Sequence, residues 1–361
     1  MHPPLLDSRM PLRPLYGHTA LRTRLGASIR AGRLPQAILL EGPHGVGKQR
    51  LALWVAQTLV CERGGETGEP CGSCQPCRLV LNLSHPDVHW LIPLELSRKA
   101  GNADRQVEVV EEALGEELAA RRDHPLYGPS QGVASHGIAA VRLLGRWLRL
   151  TPAMGRWKVF IIGGAERLAT QVANPEAANA LLKALEEPPA NSVIILATAE
   201  PGALPATILS RVVRVRMAPV KDSVVTEFAQ RELDVTAQGE LAQRVLLAEG
   251  CIGRLLAPEG QRPAGTGKLA DSFLGAVRQG PAARLAFALG QQPFQARGGF
   301  TALLDELLEH LRREARAGTG GDTGAVVAAL ARVLEARALA QGNVNPQLLT
   351  AVLADDLAGG T

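Results

Sequence analysis

The stretch from Ala37 to Trp54, AILLEGPHGVGKQRLALW, restricts the fold more than any other part of the chain. An apolar run of strand length enters a loop containing Gly42, Gly45 and Gly47, and leaves it through Lys48 into a segment of helical period. A loop that wraps an anion with its backbone N–H groups turns tightly and takes conformations that a Cβ disfavours, hence the glycines. A strand that feeds such a loop and then a helix is half of a βαβ unit, which implies a parallel sheet. The pattern is that of a phosphate-binding loop with one departure. The position after the lysine, which supplies a hydroxyl to the magnesium of a bound nucleotide, holds Gln49.

Later apolar runs continue the unit: KVFIIGG from Lys158, SVIILAT from Ser192 and RVVRVRM from Arg211, separated by segments of helical period. Their near-continuous apolar content predicts a parallel sheet covered on both faces by helices, over residues 1–217. One covering helix is well marked. Asn174 reads as its N-cap and Pro175 as its first residue, Ala178, Leu181, Leu182 and Leu185 form an apolar stripe, and Pro188 and Pro189 stop it.

Residues 218–262 turn helical without a clear strand, the size of a small helical lid, and PEGQRPAGTGK from Pro258 to Lys268 reads as a linker. Residues 263–361 read as wholly α-helical. Leu303, Leu304, Leu307, Leu308 and Leu311 recur at helical spacing, VNPQLLTAVLADDLAG reads as a further capped helix, and TGGDTG between them reads as loop. Residues 95–136, charged and with HPLYGPSQG near their end, stand where a short connection would do and read as a partly ordered insertion.

A chain of 361 residues is too long for one ordinary core. With aromatic residues at 3%, its cores must be built from Leu, Val, Ile and Ala. A net charge of +4 permits a nucleic-acid partner without identifying one. No apolar run approaches the roughly 20 residues of a membrane span, and MHPPLLDSRMPLRPLYGH lacks the pattern of a signal peptide, so the expectation is a cytoplasmic protein with no membrane partner.

Cys61, Cys71, Cys74 and Cys77, spaced C-x9-C-x2-C-x2-C, make a zinc module of residues 61–77. Two overlapping C-x2-C turns gather three thiolates around one point, and Cys61 can supply the fourth. Four thiolates suit tetrahedral zinc with no open position, so the expected zinc is structural. The fifth cysteine, Cys251, reads as a buried thiol.

Hydrolysis needs more than the loop. The strand in WKVFIIGGAERL should end in an Asp that holds magnesium and a Glu that polarises the attacking water, and those positions are Gly163 and Gly164. Glu166 comes two residues too late. The hydroxyl, the metal carboxylate and the base are therefore all missing, and this chain is not expected to hydrolyse ATP. Binding of ATP through Lys48 and the loop amides is left open. In LPATILSRVVRV, Ser210 and Arg211 lie at the end of a helical segment before a strand. Locally, Arg211 reads as a surface arginine that snorkels or pairs with a neighbouring carboxylate; at an element terminus it can also reach across a subunit boundary.

Here the residues carry a family resemblance. NALLKALEEPPANSVIILAT followed by LPATILSRV resembles the bacterial clamp-loader branch of the AAA+ superfamily, in which the second stretch is the serine-arginine-cysteine motif. HPDVHWL, LTPAMGRWKVFII and NVNPQLLTAVL extend the likeness over nearly the whole chain. Within that branch it is most similar to the delta-prime type of DNA polymerase III subunit, whose nucleotide site is degenerate, and less to the hydrolysing gamma/tau type. The resemblance implies an α/β P-loop AAA+ core with a zinc module, a helical lid and an all-α collar that holds the subunit in a ring. It implies that Cys61, Cys71, Cys74 and Cys77 are zinc ligands, and that Arg211 enters the ATP site of an adjacent subunit. Thr198 takes the sensor-1 position and Arg254 lies in the sensor-2 region. The implied partners are gamma/tau-type and delta subunits in a hetero-pentamer, a sliding clamp, and primed DNA held through its phosphates. Two features depart from the pattern: Val212 stands in place of the motif's cysteine, and the 95–136 segment is longer than the family's connection. Two rival readings remain, an active AAA+ ATPase of gamma/tau type and a zinc-dependent DNA-binding protein on an AAA+ scaffold.

Overall fold

The computed structural model describes residues 12–94, 102–127, 136–168, 175–256, 268–291, 299–317, 323–340 and 344–359. The chain divides into two compact units, Met1–Arg262 and Pro263–Thr361. The first runs through α1 (Thr19–Arg30), β1 (Ala37–Glu41), α2 (Lys48–Val60), α3 (Gly64–Thr67), α4 (Gln75–Leu81), β2 (Val88–Leu91), α5 (Ala103–Asp123), α6 (Ile138–Leu148), β3 (Lys158–Gly163), α7 (Pro175–Glu186), β4 (Ser192–Thr198), α8 (Ala206–Leu209), β5 (Val213–Arg216), α9 (Asp222–Glu232) and α10 (Gln238–Ala248). Its sheet has the order β2-β3-β4-β1-β5, and every pair is parallel.

The three middle strands explain the apolar runs. Ile38 to Leu40, Val159 to Ile162 and Val193 to Leu196 are all buried, because helices cover both faces there. Two strands differ from the sequence reading. β2, in HPDVHWL, was not read as a strand, since Asp87 and two histidines interrupt its apolar run. The polar groups have local work: the buried Asp87 carboxylate accepts the N–H groups of Ala153 and Met154 at 2.7 and 2.6 Å. It thereby fixes the loop ahead of β3, where the Lys158 ammonium donates to the Trp147 and Leu150 carbonyls at the end of α6. β5 is shorter than its apolar run and lies at the sheet edge, which leaves Val213 half exposed.

The 95–136 segment contains a helix that the sequence pattern did not single out. Its residues 103–123 form α5, a helix of 21 residues capped by Asn102, whose Oδ1 accepts the Arg105 N–H at 3.0 Å. Val107, Val110 and Leu114 lie one helical face apart and enter the main core. Arg121 is buried against the rings of Trp90 and Tyr127, at 4.7 and 4.3 Å, and pairs with Glu117 at 2.9 Å. Three apolar residues among many charges are a thin stripe, which hid the helix. HPLYGPSQG runs out of the described residues after Tyr127.

Leu181 and Leu185 of α7 are buried as the stripe requires, while the expected cap Asn174 lies outside the described residues. α9 and α10 form a small core of their own around Val225, Phe228 and Leu255. In the second unit follow α11 (Lys268–Gln279), α12 (Pro281–Leu289), α13 (Gly299–Ala317), α14 (Thr323–Leu339) and α15 (Pro346–Gly359), with no strand among its described residues. The five leucines of α13 are buried together with Phe273 and Leu353. Asn345 caps α15, accepting the Gln347 N–H at 2.8 Å. Most of the expected linker from Pro258 to Lys268, and most of TGGDTG, lie outside the described residues. No described helix is long and apolar enough to cross a membrane.

Candidate functional site

The parallel register brings the glycine loop to the carboxyl end of the sheet, where β1, β3 and β4 finish together. Gly45 and Gly47 have φ of 77° and 102°, the left-handed region that a side chain would strain. The loop is closed on itself. Lys48 Nζ donates to the Gly42 and Pro43 carbonyls, both at 2.8 Å, so its ammonium is held by the loop's own backbone. Burial pulls its pKa down to about 8, partly opposed by the charge of Glu166. A short turn at Ile252–Leu256 lies against the crown of the loop, the Gly253 N–H donating to the Gly45 carbonyl at 2.8 Å. From below, a ring nitrogen of His18 lies 2.8 Å from the Val46 carbonyl.

Gln49 and Gly163 meet here. A Cβ built on Gly163 would stand 2.7 to 2.8 Å from the carboxamide atoms of Gln49. The glutamine head therefore lies against the glycine backbone, in the space that an acidic side chain at 163 would need. Two of the losses read from the sequence are thus neighbours in space, and a carboxylate at 163 would require the Gln49 head to take another rotamer. Gly164, with φ 63°, starts the turn Ala165–Arg167. Thr198, at the end of β4 opposite Glu41, is fully buried; its carbonyl accepts the Gly42 N–H at 3.3 Å and its hydroxyl accepts the Glu200 N–H at 3.0 Å. Arg254 follows Gly253 beside the loop and pairs with Glu249 at 2.5 Å. Gly42, Gly45, Gly47, Lys48, Gln49, Gly163, Gly164, Thr198 and Arg254 are therefore gathered at one end of the sheet. Cys251 is buried near Lys48.

His136 joins this group without having been singled out in the sequence. Its Nε2 lies 2.6 Å from the Gly163 carbonyl, and burial pulls its pKa down to about 4, partly opposed by that carbonyl and by Glu166. His89, stacked on Trp147 at 4.4 Å, is also held near 4 by burial and by Lys158. The folded values lie below the ordinary 6.5, so the unfolded chain binds more protons between those limits. The stabilisation is complete above pH 6.5 and is lost as pH falls towards 4, at most on the order of 3 kcal/mol for the fully buried His136. Melting curves should accordingly shift down between pH 7 and 5, and less so in His136→Gln.

Arg211 occupies the opposite end of the sheet. Ile38 pairs with Val213 and Glu41 with Arg216, so the loop follows the end of β1 while Arg211 precedes the start of β5. At about 3.3 Å per residue the two are separated by roughly 15 to 20 Å along the strands. Arg211 cannot serve its own loop. Its Nε donates to Glu186 Oε1 at 2.7 Å, Nη2 donates to the same oxygen, and Nη1 donates to the Thr207 carbonyl at 2.6 Å and to Ser210 Oγ at 3.2 Å. The surface pairing expected from the local sequence is present. Glu186 gave no signal because it lies in another element.

The four cysteines are brought together. Cys61 ends α2, Cys71 lies in the following loop, Cys74 precedes α4 and Cys77 is within it. Their sulfurs lie within 4.8 Å of one another, and the Cys71–Cys77 and Cys61–Cys74 pairs are both at 3.9 Å. The edge of a tetrahedron of sulfurs around zinc is about 3.8 Å, so the donor set fits a metal ion. Backbone N–H groups point at the sulfurs, Cys71 to Cys61 Sγ and Cys74 to Cys71 Sγ, both at 3.3 Å. Burial pushes the thiols of Cys61 and Cys77 up, while at Cys71 the N–H groups of Cys74 and Ser73 outweigh burial and hold the thiol near 5. Four adjacent thiolates need a cation. Tight backbone contacts shape the module: a Cβ on Gly64 would meet the Thr58 carbonyl at 1.8 Å, and one on Gly26 the Gly68 carbonyl at 2.2 Å.

The chain is similar to known proteins. The family described as DNA polymerase III, delta subunit, matches residues 17–221. The DNA polymerase III subunit delta' of Escherichia coli (strain K12) is 28% identical over 335 residues, which cover 92% of this chain and 84% of that protein. The subunit delta' of Bacillus subtilis (strain 168) is 30% identical over 200 residues, 55% of this chain and 47% of the relative, so the match spans about half of its length. The subunit tau of Salmonella typhimurium (strain LT2) is 32% identical over 197 residues, 55% of this chain and 24% of that protein.

Proposed function

The chain belongs to the DNA polymerase III delta-subunit family that matches its residues 17–221, and from that premise we propose that it is a non-hydrolysing clamp-loader subunit of delta-prime type. In this reading residues 1–217 are an AAA+ core, residues 218–262 its helical lid and residues 263–361 a collar that holds the subunit beside gamma/tau-type and delta subunits. The assembly opens a sliding clamp and closes it on primed DNA in the cytoplasm, with DNA held through phosphates and hence in a salt-dependent way. Cys61, Cys71, Cys74 and Cys77 hold one structural zinc. Arg211, with Ser210 beside it, completes the ATP site of the neighbour, where a guanidinium offsets the charge that develops on the transferred phosphoryl.

The observation that carries this reading is the separation of the two ends of the sheet. One end has a glycine loop without a magnesium hydroxyl or carboxylate, with Gln49 after Lys48 and Gly163 and Gly164 at the end of β3. The other presents a partly exposed arginine too far away to help that loop. A chain that hydrolysed its own ATP would need the opposite: an open magnesium position at the first end. The isolated chain is therefore expected to show no magnesium-dependent ATP turnover in a coupled assay. Turnover that disappears in Lys48→Ala would overturn the proposal in favour of an active ATPase.

A further inference from the structure

We infer that Glu186 is the positioning residue for Arg211, a deepening that rests on the arginine-finger reading. Arginine has five N–H donors and a long stem with large rotamer freedom. A finger that must meet a transferring phosphoryl gains when its plane is fixed before the encounter. Here Glu186 Oε1 accepts both Nε, at 2.7 Å, and Nη2, while the Thr207 carbonyl accepts from Nη1 at 2.6 Å. One acceptor is the last residue of α7 and the other lies in α8, so the guanidinium plane is held between two elements. α7 is itself anchored, since Leu181 and Leu185 are buried in the main core.

The hold leaves one of the five donors free for a ligand and a second within reach. Nη2 keeps its second hydrogen, and Nη1 has only to release the longer contact to Ser210 Oγ, at 3.2 Å, to present a two-pronged Nη edge. That edge suits two oxygens of a phosphoryl group on a neighbouring chain. The pair is partly exposed, with side chains 29% and 47% accessible for Arg211 and Glu186, so it adds little to stability. Its consequence lies in the orientation of Arg211.

The test is steady-state ATP hydrolysis by the full chain reconstituted with gamma/tau-type and delta-type chains, clamp and primed DNA. Glu186→Gln is expected to lower kcat about three- to tenfold at the one site this chain completes, so that the total rate falls by most of that site's share and by no more than in Arg211→Ala, with KM for ATP unchanged, the scale of losing a pre-set side-chain orientation. Glu186→Asp, which keeps the charge on a shorter arm, should recover part of the loss. In an Arg211→Ala background, Glu186→Gln should change nothing further, and melting temperatures report separately on folding. A kcat at or above the wild-type value in both Glu186 variants would overturn the inference; an increase would mean that the carboxylate competes with the phosphate. An equal loss in the Arg211→Ala background would also overturn it, since Glu186 would then act without the arginine. If Arg211→Ala itself has no effect, the finger reading fails and the inference with it. If only the Glu186 variants have no effect, the positioning inference fails alone.

Discussion

Replacing Arg211 by alanine is expected to slow ATP hydrolysis by about 10³-fold or more at the one site this chain completes in a reconstituted clamp loader, the scale of other arginine fingers. The mutation removes a guanidinium from the partly exposed junction of α8 and β5. What remains behind is a solvated Glu186 carboxylate and the Thr207 carbonyl, and an exposed pair of this kind is worth about 0 to 1 kcal/mol. Folding and assembly should therefore survive, which makes the result readable: an intact complex by size-exclusion chromatography with a depressed DNA-stimulated ATPase. The mutation touches only the site that this chain is proposed to complete, so the total rate should fall by at least that site's share. Arg211→Lys should behave nearly as badly, because an ammonium cannot lie flat between the carboxylate and a phosphoryl. An unchanged ATPase in an intact complex would leave the finger assignment without support.

The parts of this picture that could be read from the chain are those that local rules control. β1, β3 and β4 are buried on both faces, and a strand of that kind must be apolar throughout, so its sequence announces it. The cysteine set is legible for a similar reason: two overlapping C-x2-C turns leave little freedom in where the sulfurs go. Where polar residues serve tertiary partners, the local pattern misleads. β2 carries Asp87 and His89 because the loop before β3 and the ring of Trp147 need them. α5 shows only a thin apolar stripe because most of its surface faces solvent. Pairings between distant segments left no trace either. Gln49 and Gly163 looked like separate losses, and the structure places the carboxamide of one against the backbone of the other. Glu186 lies 25 residues before the arginine it holds, in a helix whose apolar stripe accounted for the rest of its sequence.

Removing the metal from the cysteine module should cost more stability than any change at the nucleotide loop. A structural zinc held by four thiolates contributes on the order of 10 kcal/mol to folding, comparable to the whole net stability of a typical domain. The module is not an appendage that could melt alone. Cys61 terminates α2, whose first residue is Lys48, and Cys77 is fully buried in α4 beside Val80 and Leu81. The Leu12 N–H donates to the Leu81 carbonyl, and the backbone of Gly68 lies directly against Gly26 of α1. Loss of the metal removes the only bonds that tie the end of α2 to α4 through the four sulfurs and leaves buried thiols at Cys61 and Cys77 in their place. Chelation, or Cys74→Ser, is therefore expected to lower the melting temperature of the 1–262 unit by about 20 °C, taking roughly 2 °C per kcal/mol for a unit of this size. Metal analysis should find one zinc per chain before treatment and none after, and proteolysis should open first between Cys61 and Cys71. A module that only bound nucleic acid would lose DNA affinity on chelation while its melting curve stayed in place. That outcome would sink the structural role, because a closed set of four sulfurs has no other way to act than by holding α2 and α4 together.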